Sequence, residues 1–226
     1  MSKTALVLCG GKGTRFRSIS EKPKILTPFG DALFIDWLLN YLISNNYKQI
    51  ILSLGYRYKE IIGYLKSRDY GVNIDYVIEE ESLGTGGAIL NIFKLRQLCE
   101  VTVFNGDTYW SAPIPSAFNQ SNKFDCSLLV KTLKHNNRYG NVLIRNDDTV
   151  DIEFPDLERP ILNSQVYIGI ARIRLENPIF RIHRPFSFET LICSMKLKCL
   201  LFQYSGDMCD FGTVSGFQNL KNNYEV

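Results

Sequence analysis

A glycine-rich loop that directly follows an apolar run is the feature that most constrains how this 226-residue chain folds. The run ends in Leu8 and Cys9, and residues 10–15 read GGKGTR. Backbone N–H groups in such a loop can cradle a phosphate chain, and Arg15 adds a planar charged fork for phosphate oxygens. The loop lacks the Gly-Lys-Ser/Thr end of a Walker motif, and Phe16 stands where a dinucleotide fingerprint needs a small residue. The sequence therefore predicts another kind of nucleotide site.

Charge and composition exclude several classes of protein. The net charge of +3 is too small to indicate a nucleic-acid partner. No apolar run reaches the roughly 20 residues that span a bilayer, so we expect no membrane segment. The six cysteines include no Cys-x-x-Cys pair, which is typical of reduced, mostly buried thiols in a cytoplasmic protein.

The first half of the chain alternates strand and helix patterns, which predicts a parallel sheet covered by helices. Such sheets bind ligands at the carboxyl ends of their strands, where both the glycine loop and Asn105-Gly106-Asp107 fall. One predicted helix carries a buried stripe of Phe34, Trp37, Leu38, Tyr41 and Leu42. The predicted strands are Thr4–Cys9, Gln49–Leu54, Asn73–Ile78 and Val101–Asn105, and the helices are Leu33–Ser44, Tyr58–Ser67 and Gly87–Leu98.

The second half predicts an antiparallel part with a turn at Asn146-Asp147-Asp148. Its predicted strands are Cys126–Lys131, Gly140–Ile144, Thr149–Phe154, Gln165–Arg172 and Lys198–Tyr204, with a helix at Ser187–Ser194. No linker or repeat interrupts the pattern. We therefore predict one domain over residues 1–226, with an alternating α/β half to about residue 110, which holds the predicted nucleotide site, and an antiparallel half from about 111.

Four further motifs follow the glycine loop in a characteristic order. They are KILTP at 24–28, EESLGTGGA at 80–88, and the pair NGDT at 105–108 and DFGT at 210–213. Together with the loop they resemble the nucleotidyltransferases that activate sugar 1-phosphates. The resemblance implies a three-layer α/β/α, Rossmann-like fold of the glycosyltransferase A type, with a mainly parallel mixed sheet and a small antiparallel part.

The resemblance also implies the reaction and its residues. A sugar 1-phosphate attacks the α-phosphate of a nucleoside triphosphate, with Arg15 on the departing pyrophosphate, Lys24 on the α-phosphate, and Asp107 and Asp210 on Mg²⁺. The catalytic candidates are thus Arg15, Lys24 and Asp107. The nucleotide-binding candidates are Leu8, Cys9, Gly10, Gly11, Gly13, Thr14, Arg15, Lys24, Glu81, Gly84, Thr85, Gly86, Asn105 and Gly106.

Two assignments have rivals in the sequence. Lys22 precedes a proline, as the family lysine usually does, but only Lys24 places Pro28 and the following helix in register. Asp207 stands close to Asp210, but the Asp-Phe-Gly-Thr context favours Asp210 as the metal ligand.

The sugar-binding motifs are altered in this chain. The resemblance makes the part from about residue 111 the sugar-binding half, with the candidates Tyr139, Gly140, Glu153, Tyr167 and Gly169. The family's sugar-side lysine and asparagine are absent, and Arg159 is the alternative in place of the lysine, although an arginine fork is not equivalent to it. Within the family the chain most resembles guanylyltransferases of D-glycero-D-manno-heptose 1-phosphate, which make GDP-heptose for bacterial surface polysaccharides. This implies GTP and a sugar 1-phosphate as partners of a monomer or homodimer. A CTP- or UTP-dependent enzyme for another phosphorylated acceptor and a non-catalytic nucleotide-sugar sensor are the alternatives.

Overall fold

The computed structural model describes residues 3–11, 13, 22–119, 123–156, 159–176, 185–212 and 214–223. The helices are α1 (Phe34–Ser44), α2 (Tyr58–Lys66), α3 (Gly84–Arg96), α4 (Phe188–Ser194) and α5 (Val214–Asn223), with short 3₁₀ turns at Lys24–Leu26 and Ser116–Asn119. The strands are β1 (Lys3–Cys9), β2 (Pro28–Phe29), β3 (Ala32–Leu33), β4 (Tyr47–Leu54), β5 (Asn73–Ile78), β6 (Glu100–Asn105), β7 (Thr108–Trp110), β8 (Cys126–Asn136), β9 (Asn141–Ile144), β10 (Val150–Glu153), β11 (Ile161–Arg174), β12 (Cys199–Gln203) and β13 (Met208–Asp210).

These elements confirm the predicted mixed α/β fold with a mainly parallel central sheet and small antiparallel sheets. The predicted start of one helix is wrong, and the error changes the interpretation of a glycine-rich segment. Helix α3 begins at Gly84 rather than at Gly87, so the glycine-rich segment 84–87 is the first turn of a helix and not a loop before it.

The chain forms two compact units. The first comprises Met1–Ser82, Phe104–Pro113 and Gly206–Val226, and the second comprises Leu83–Val103 and Ile114–Ser205. In the first unit, β4 lies between β1 and β5, and both pairings are parallel. The antiparallel pair of β7 and β13 also belongs to this unit. The predicted division near residue 110 stays a prediction.

Helix α1 packs its apolar face into the core of the first unit. The fully buried positions on that face are Phe34, Ile35, Leu38, Leu39 and Leu42. The predicted stripe is therefore wrong at Trp37 and Tyr41, which are half-buried. The large rings lie at the edge of the buried face, where Trp37 and Tyr41 stack at 5.4 Å and each stacks on Trp110.

The second unit holds the antiparallel part that the sequence predicts. Strand β11 lies between β9 and β6 in the strand order and also pairs along its length with β8. Strand β12 adds to β8 in parallel, and the short strands β9 and β10 form an antiparallel hairpin. The predicted hairpin around Asn146-Asp147-Asp148 is thus confirmed.

All six cysteines lie in described segments, and each is a free thiol. Cys126 and Cys199 are buried, Cys99 is exposed, and the other three thiols are half-buried. The expectation of mostly buried thiols is therefore met in full only by Cys126 and Cys199. Among the described residues, no helix is both long and apolar enough to cross a membrane.

Candidate functional site

Three strand ends of the first unit pack so closely that only glycine fits between them. A Cβ on Gly55 would stand 2.5 Å from the Gly10 carbonyl oxygen, and one on Gly106 would stand 2.5 Å from the Leu8 carbonyl oxygen. The Gly106 amide donates to that same Leu8 carbonyl at 3.1 Å. The predicted loop and the Asn105-Gly106-Asp107 segment therefore meet at one edge of this unit.

Lys24 is held by a short 3₁₀ turn. Ile25 and Leu26 bury their side chains in the core, with 3% and 5% of their surface exposed. The Lys24 carbonyl accepts hydrogen bonds from the Thr27 amide at 3.1 Å and from the Thr27 hydroxyl at 2.6 Å. Buried apolar neighbours thus fix the backbone, and the Lys24 side chain reaches Asp107, with Nζ 2.7 Å from Oδ2. Lys22 is exposed.

The pairing of β7 with β13 brings Asp107 and Asp210 together. Thr108 pairs with Asp210 in this antiparallel ladder, and the Phe211 amide donates to the Asp107 carbonyl at 3.1 Å. The other end of the ladder is closed by Asp207, whose carbonyl accepts from the Ser111 amide at 2.9 Å. Asp207 therefore lies at the end of β13 away from Asp107, and it is exposed.

Gly212 marks the point where the three charged side chains converge. A Cβ at this residue would stand 2.7 Å from Oδ1 of Asp210, 3.3 Å from Nζ of Lys24 and 3.5 Å from Oδ2 of Asp107. The Gly212 amide also donates to Oδ1 of Asp210 at 2.6 Å. One cation and two carboxylates thus have atoms within 3.5 Å of a single point, the position of a Cβ on Gly212.

The donor set at this point fits Mg²⁺. Magnesium prefers oxygen ligands and is usually held by one or two carboxylates, with waters and substrate phosphates completing its shell. Asp107 and Asp210 supply two such carboxylates. In the described part of the chain no group of three or more His, Cys, Asp or Glu side chains could hold a metal, so the remaining ligands here would be phosphate oxygens and water.

Packing around Phe211 keeps Asp210 in place. The Phe211 ring is buried and lies edge-on to Phe34 at 4.4 Å. Behind it, Gly216 in α5 lies so close to the Asp210 carbonyl that a Cβ there would overlap it. The aromatic core thus positions the polar residue that precedes it in the sequence.

Cys9 lies beside this site but is chemically quiet. Its sulfur lies 2.9 Å from the position of a Cβ on Gly106. Burial, together with the negative charges of Asp107 and Glu79, raises the pKa of the Cys9 thiol well above its usual range. A protonated thiol is a poor nucleophile, so the structure indicates no nucleophilic role for Cys9, and its predicted contact with the nucleotide stays a prediction.

Glu79 is a site-edge residue that the motifs do not single out. It is the first residue after β5, and its amide donates to the Leu54 carbonyl at 2.7 Å. Its Oε1 accepts the Ser53 hydroxyl at 2.6 Å and lies 2.8 Å from the position of a Cβ on Gly10. The sequence signal that could have identified Glu79 is an acidic residue at the carboxyl end of a predicted parallel strand. The predicted Glu81, by contrast, is exposed.

In the second unit, the glycines of residues 84–87 have a packing role. A Cβ on Gly84 or Gly86 would overlap the backbone of Phe186 or Ser187, and Gly84 has a φ of +71°. Thr85 accepts a hydrogen bond from the Phe188 amide at 2.7 Å through its hydroxyl. These contacts require small residues without any ligand, and the predicted nucleotide contacts of this segment stay predictions.

All five sugar-side candidates belong to the second unit, where Glu153, Tyr167 and Gly169 lie on strands and Tyr139 and Gly140 lie in the turn between β8 and β9. Gly140 packs against its own hairpin, since a Cβ there would stand 2.6 Å from Ile152. Glu153 is exposed at the end of β10. Gly169 has a φ of +85° at an irregularity in β11. Tyr139 is half-buried, and Asn136 hydrogen-bonds both its amide and its carbonyl.

Tyr167 is the sugar-side candidate whose side chain lacks a hydrogen bond in the described part of the chain. Its hydroxyl is buried and has no hydrogen-bond partner among the described residues. Its ring lies 5.1 Å from Phe188. Burial, with a contribution from Glu189, raises the pKa of Tyr167 well above its ordinary value, so the hydroxyl is a neutral group that can both donate and accept.

The remaining candidates stay predictions. Thr14 and Arg15 lie outside the described residues. Leu8, Gly11, Gly13 and Asn105 lie at the strand ends and loop of the first unit.

Comparison with known proteins agrees with this geometry. The family model described as Nucleotidyl transferase matches residues 4–170. A D-glycero-alpha-D-manno-heptose 1-phosphate guanylyltransferase of Campylobacter jejuni is 33% identical over 192 residues, which are 83% of this chain and 84% of the relative. An enzyme of the same description from Aneurinibacillus thermoaerophilus is 38% identical over 65% of each chain.

A solved structure supports the same relationship. The crystal structure of HddC from Yersinia pseudotuberculosis is 26% identical, with a TM-score of 0.82 over 98% of this chain and 99% of that one. The complex of that protein with GMP-PN has a TM-score of 0.80 at the same identity and coverage.

Proposed function

Because the chain belongs to the nucleotidyl transferase family, we propose that it transfers a nucleotidyl group from a nucleoside triphosphate to a sugar 1-phosphate and releases pyrophosphate. The observation that carries the proposal is the convergence of Lys24, Asp107 and Asp210 beside Gly212. Both substrates are anions, so the reaction needs charge neutralisation and alignment of the attacking and leaving oxygens. A cation and two metal-binding carboxylates at one point supply those requirements.

Each charged residue has a distinct task in this mechanism. The carboxylates of Asp107 and Asp210 would hold Mg²⁺, and the chemistry that the bound ion would supply is neutralisation of charge on the phosphate oxygens. Lys24 exchanges its contact with Asp107 for the α-phosphate and the incoming sugar phosphate, and it stabilises the charge that develops during transfer. Arg15 binds the departing pyrophosphate. The glycine loop supplies backbone donors to the triphosphate.

We further propose GTP and D-glycero-D-manno-heptose 1-phosphate as the substrates, with GDP-heptose for surface polysaccharide as the product. The printed descriptions of two relatives name this activity, and HddC was solved with GMP-PN. A cytoplasmic location and a monomeric or homodimeric state stay predictions.

The experiment that tests the proposal is a pyrophosphate-release panel. Purified protein with Mg²⁺ is given each of GTP, CTP, UTP and ATP with several sugar 1-phosphates, heptose 1-phosphate among them. We expect release only when a sugar phosphate is present, and fastest with GTP. Turnover with CTP or UTP on another acceptor would favour that alternative, whereas nucleotide binding without any turnover would favour a sensor.

Variants at the carboxylates link turnover to the site. Asp107→Asn and Asp210→Asn should each lower turnover at least about 10-fold and raise the Mg²⁺ concentration needed for half-maximal rate, since each removes one negative ligand. Asp207→Asn is the matched control, because that residue lies at the far end of β13. A larger loss for Asp207→Asn than for Asp210→Asn would refute this assignment.

A further inference from the structure

The aromatic ring of Phe211 lies against the ammonium group of Lys24. The Lys24 Nζ stands 5.8 Å from the centre of the ring, within the roughly 6 Å at which the negative face of an aromatic ring attracts a cation. Phe211 is 1% exposed and the Lys24 side chain is 17% exposed. The contact is therefore largely shielded from water, and shielding strengthens such an attraction.

The ring and the lysine are held by one connected set of contacts. The Phe211 amide donates to the Asp107 carbonyl at 3.1 Å, and the Phe211 ring packs edge-on against Phe34 at 4.4 Å. The Phe34 amide donates to the Thr27 carbonyl at 2.9 Å, and the Thr27 hydroxyl donates to the Lys24 carbonyl at 2.6 Å. The same packing that fixes the Lys24 backbone therefore also fixes the ring that its side chain meets.

The carboxylate partner of Lys24 competes with the substrate. Its Nζ lies 2.7 Å from Oδ2 of Asp107, whereas the proposed reaction requires the same ammonium to meet phosphate oxygens. A carboxylate repels those oxygens, but a neutral ring attracts the cation without adding a negative charge. The lysine stem is flexible, and each conformation that it must give up costs entropy. A contact with the ring can be kept while the ammonium changes its anionic partner.

We infer that Phe211 is a positioning residue, whose ring holds the Lys24 ammonium at the reaction point by a cation–π contact while that ammonium moves from Asp107 to phosphate. This inference rests on the proposed nucleotidyl transfer and adds a residue to its site. An aliphatic side chain such as leucine would also fill the core beside Phe34, but it carries no negative face. The aromatic character of residue 211 therefore has a task beyond packing.

The test changes the charge distribution of the ring and keeps its shape. Phe211 is replaced by phenylalanine with one, two and three ring fluorines, which withdraw electron density from the ring face. At saturating nucleotide, kcat for pyrophosphate release should fall with each fluorine, by about 3- to 10-fold in total, and KM should change less. In a Lys24→Met background the dependence on fluorine should disappear, because no cation remains; a purely structural role of the ring would give the same loss in both backgrounds.

The matched control is the same fluorine series at Phe118, a fully buried ring that lies 5.6 Å from Phe202 and should keep the parental kcat. A kcat that does not depend on fluorine at Phe211, or an equal dependence in Lys24→Met, would overturn the inference while nucleotidyl transfer stands.

Absence of turnover with every nucleotide would instead refute the proposed function. The inference would then be decided by nuclear magnetic resonance of protein with ¹³C-labelled lysine. The ε-methylene signal of Lys24, identified by its loss in Lys24→Met, should shift when Phe211 is fluorinated and stay in place when Phe118 is fluorinated. An unmoved Lys24 signal in the fluorinated Phe211 protein would overturn the cation–π contact.

Discussion

Replacing Gly212 by alanine adds one methyl group at the point where Lys24, Asp107 and Asp210 converge. The new Cβ would stand 2.7 Å from Oδ1 of Asp210, well inside the roughly 3.5 Å at which non-bonded atoms rest. Asp210 cannot move away freely, because Oδ1 also accepts the Gly212 amide at 2.6 Å. The substitution therefore displaces a predicted metal ligand without removing any charge.

The size of the effect follows from these contacts. A displacement of even about 1 Å at a reacting centre can cost about 10²-fold in rate, so we expect kcat to fall by about 10- to 100-fold. Losing the charged hydrogen bond costs about 1.5–3 kcal/mol. Because the φ of Gly212 is not in the left-handed region, alanine regains about 0.4–1 kcal/mol by restricting the unfolded chain. The free energy of unfolding should therefore fall by about 1–2 kcal/mol.

The assay measures kcat, the Mg²⁺ dependence of pyrophosphate release and the denaturant midpoint of the same preparation. Gly63→Ala is the matched control, since Gly63 is exposed within α2 with nothing near its Cβ position. It should gain about 0.5–1 kcal/mol from helix propensity and keep the parental kcat. A folded Gly212→Ala protein with parental kcat and parental Mg²⁺ dependence would refute the assignment of this point as the reaction centre.

Two further predictions concern charged groups of the first unit. Lys24→Ala should lower kcat at saturating nucleotide by about 10²-fold or more, while exposed Lys22→Ala should cost much less; equal losses would show that both lysines act on phosphates. Tyr70→Phe should lower the free energy of unfolding by about 1 kcal/mol near pH 7, because it removes the 2.6 Å hydrogen bond to Asp36. Denaturant titrations of both proteins from pH 2 to pH 8 measure how this difference changes with acidity.

The direction of that pH dependence follows from the Asp36 carboxylate. Burial alone would raise the pKa of Asp36, but hydrogen bonds from Tyr64, Tyr70 and the Leu33 amide outweigh it and lower that pKa. Stability from a lowered carboxyl pKa is fully present above the unfolded value of about 3.9 and is lost as the pH falls through the folded value. The difference between parent and Tyr70→Phe should thus be constant above about pH 5 and shrink below about pH 4. A difference that grows in acid would refute this account.

The sequence predicted the strand-end location of the site because parallel strands place all their carboxyl ends at one edge. It could not show how Asp210 reaches Asp107. That contact depends on β7 and β13, which are three residues each, too short for a period-two pattern to be recognised. The pairing of β7 with β13 could therefore not be recognised from the sequence pattern, although the NGDT and DFGT motifs next to it could.

Glu79 was missed for a different reason. Motif reasoning started at Glu80, within the block that resembles the family, and ranked Glu81 above its neighbours. In the structure, the residue that reaches the loop is the first one after β5, and its backbone is fixed by Leu54 of the adjacent parallel strand. Position relative to a strand end thus identifies the acidic residue that packs on Gly10, and the predicted role of Glu81 stays a prediction.

The glycines show how far a motif alone can support a binding site. Gly84 and Gly86 each face backbone atoms that a Cβ would overlap, so packing by itself explains why they carry no side chain, whereas the atoms nearest Gly10 are only the end of the Glu79 side chain. Gly11 differs, because it is exposed, its Cβ position is empty and its φ lies outside the left-handed region. Within the described residues, neither packing nor backbone strain requires glycine there. Close approach of a phosphate chain to the backbone is the role that the motif predicts for Gly11, and it stays a prediction.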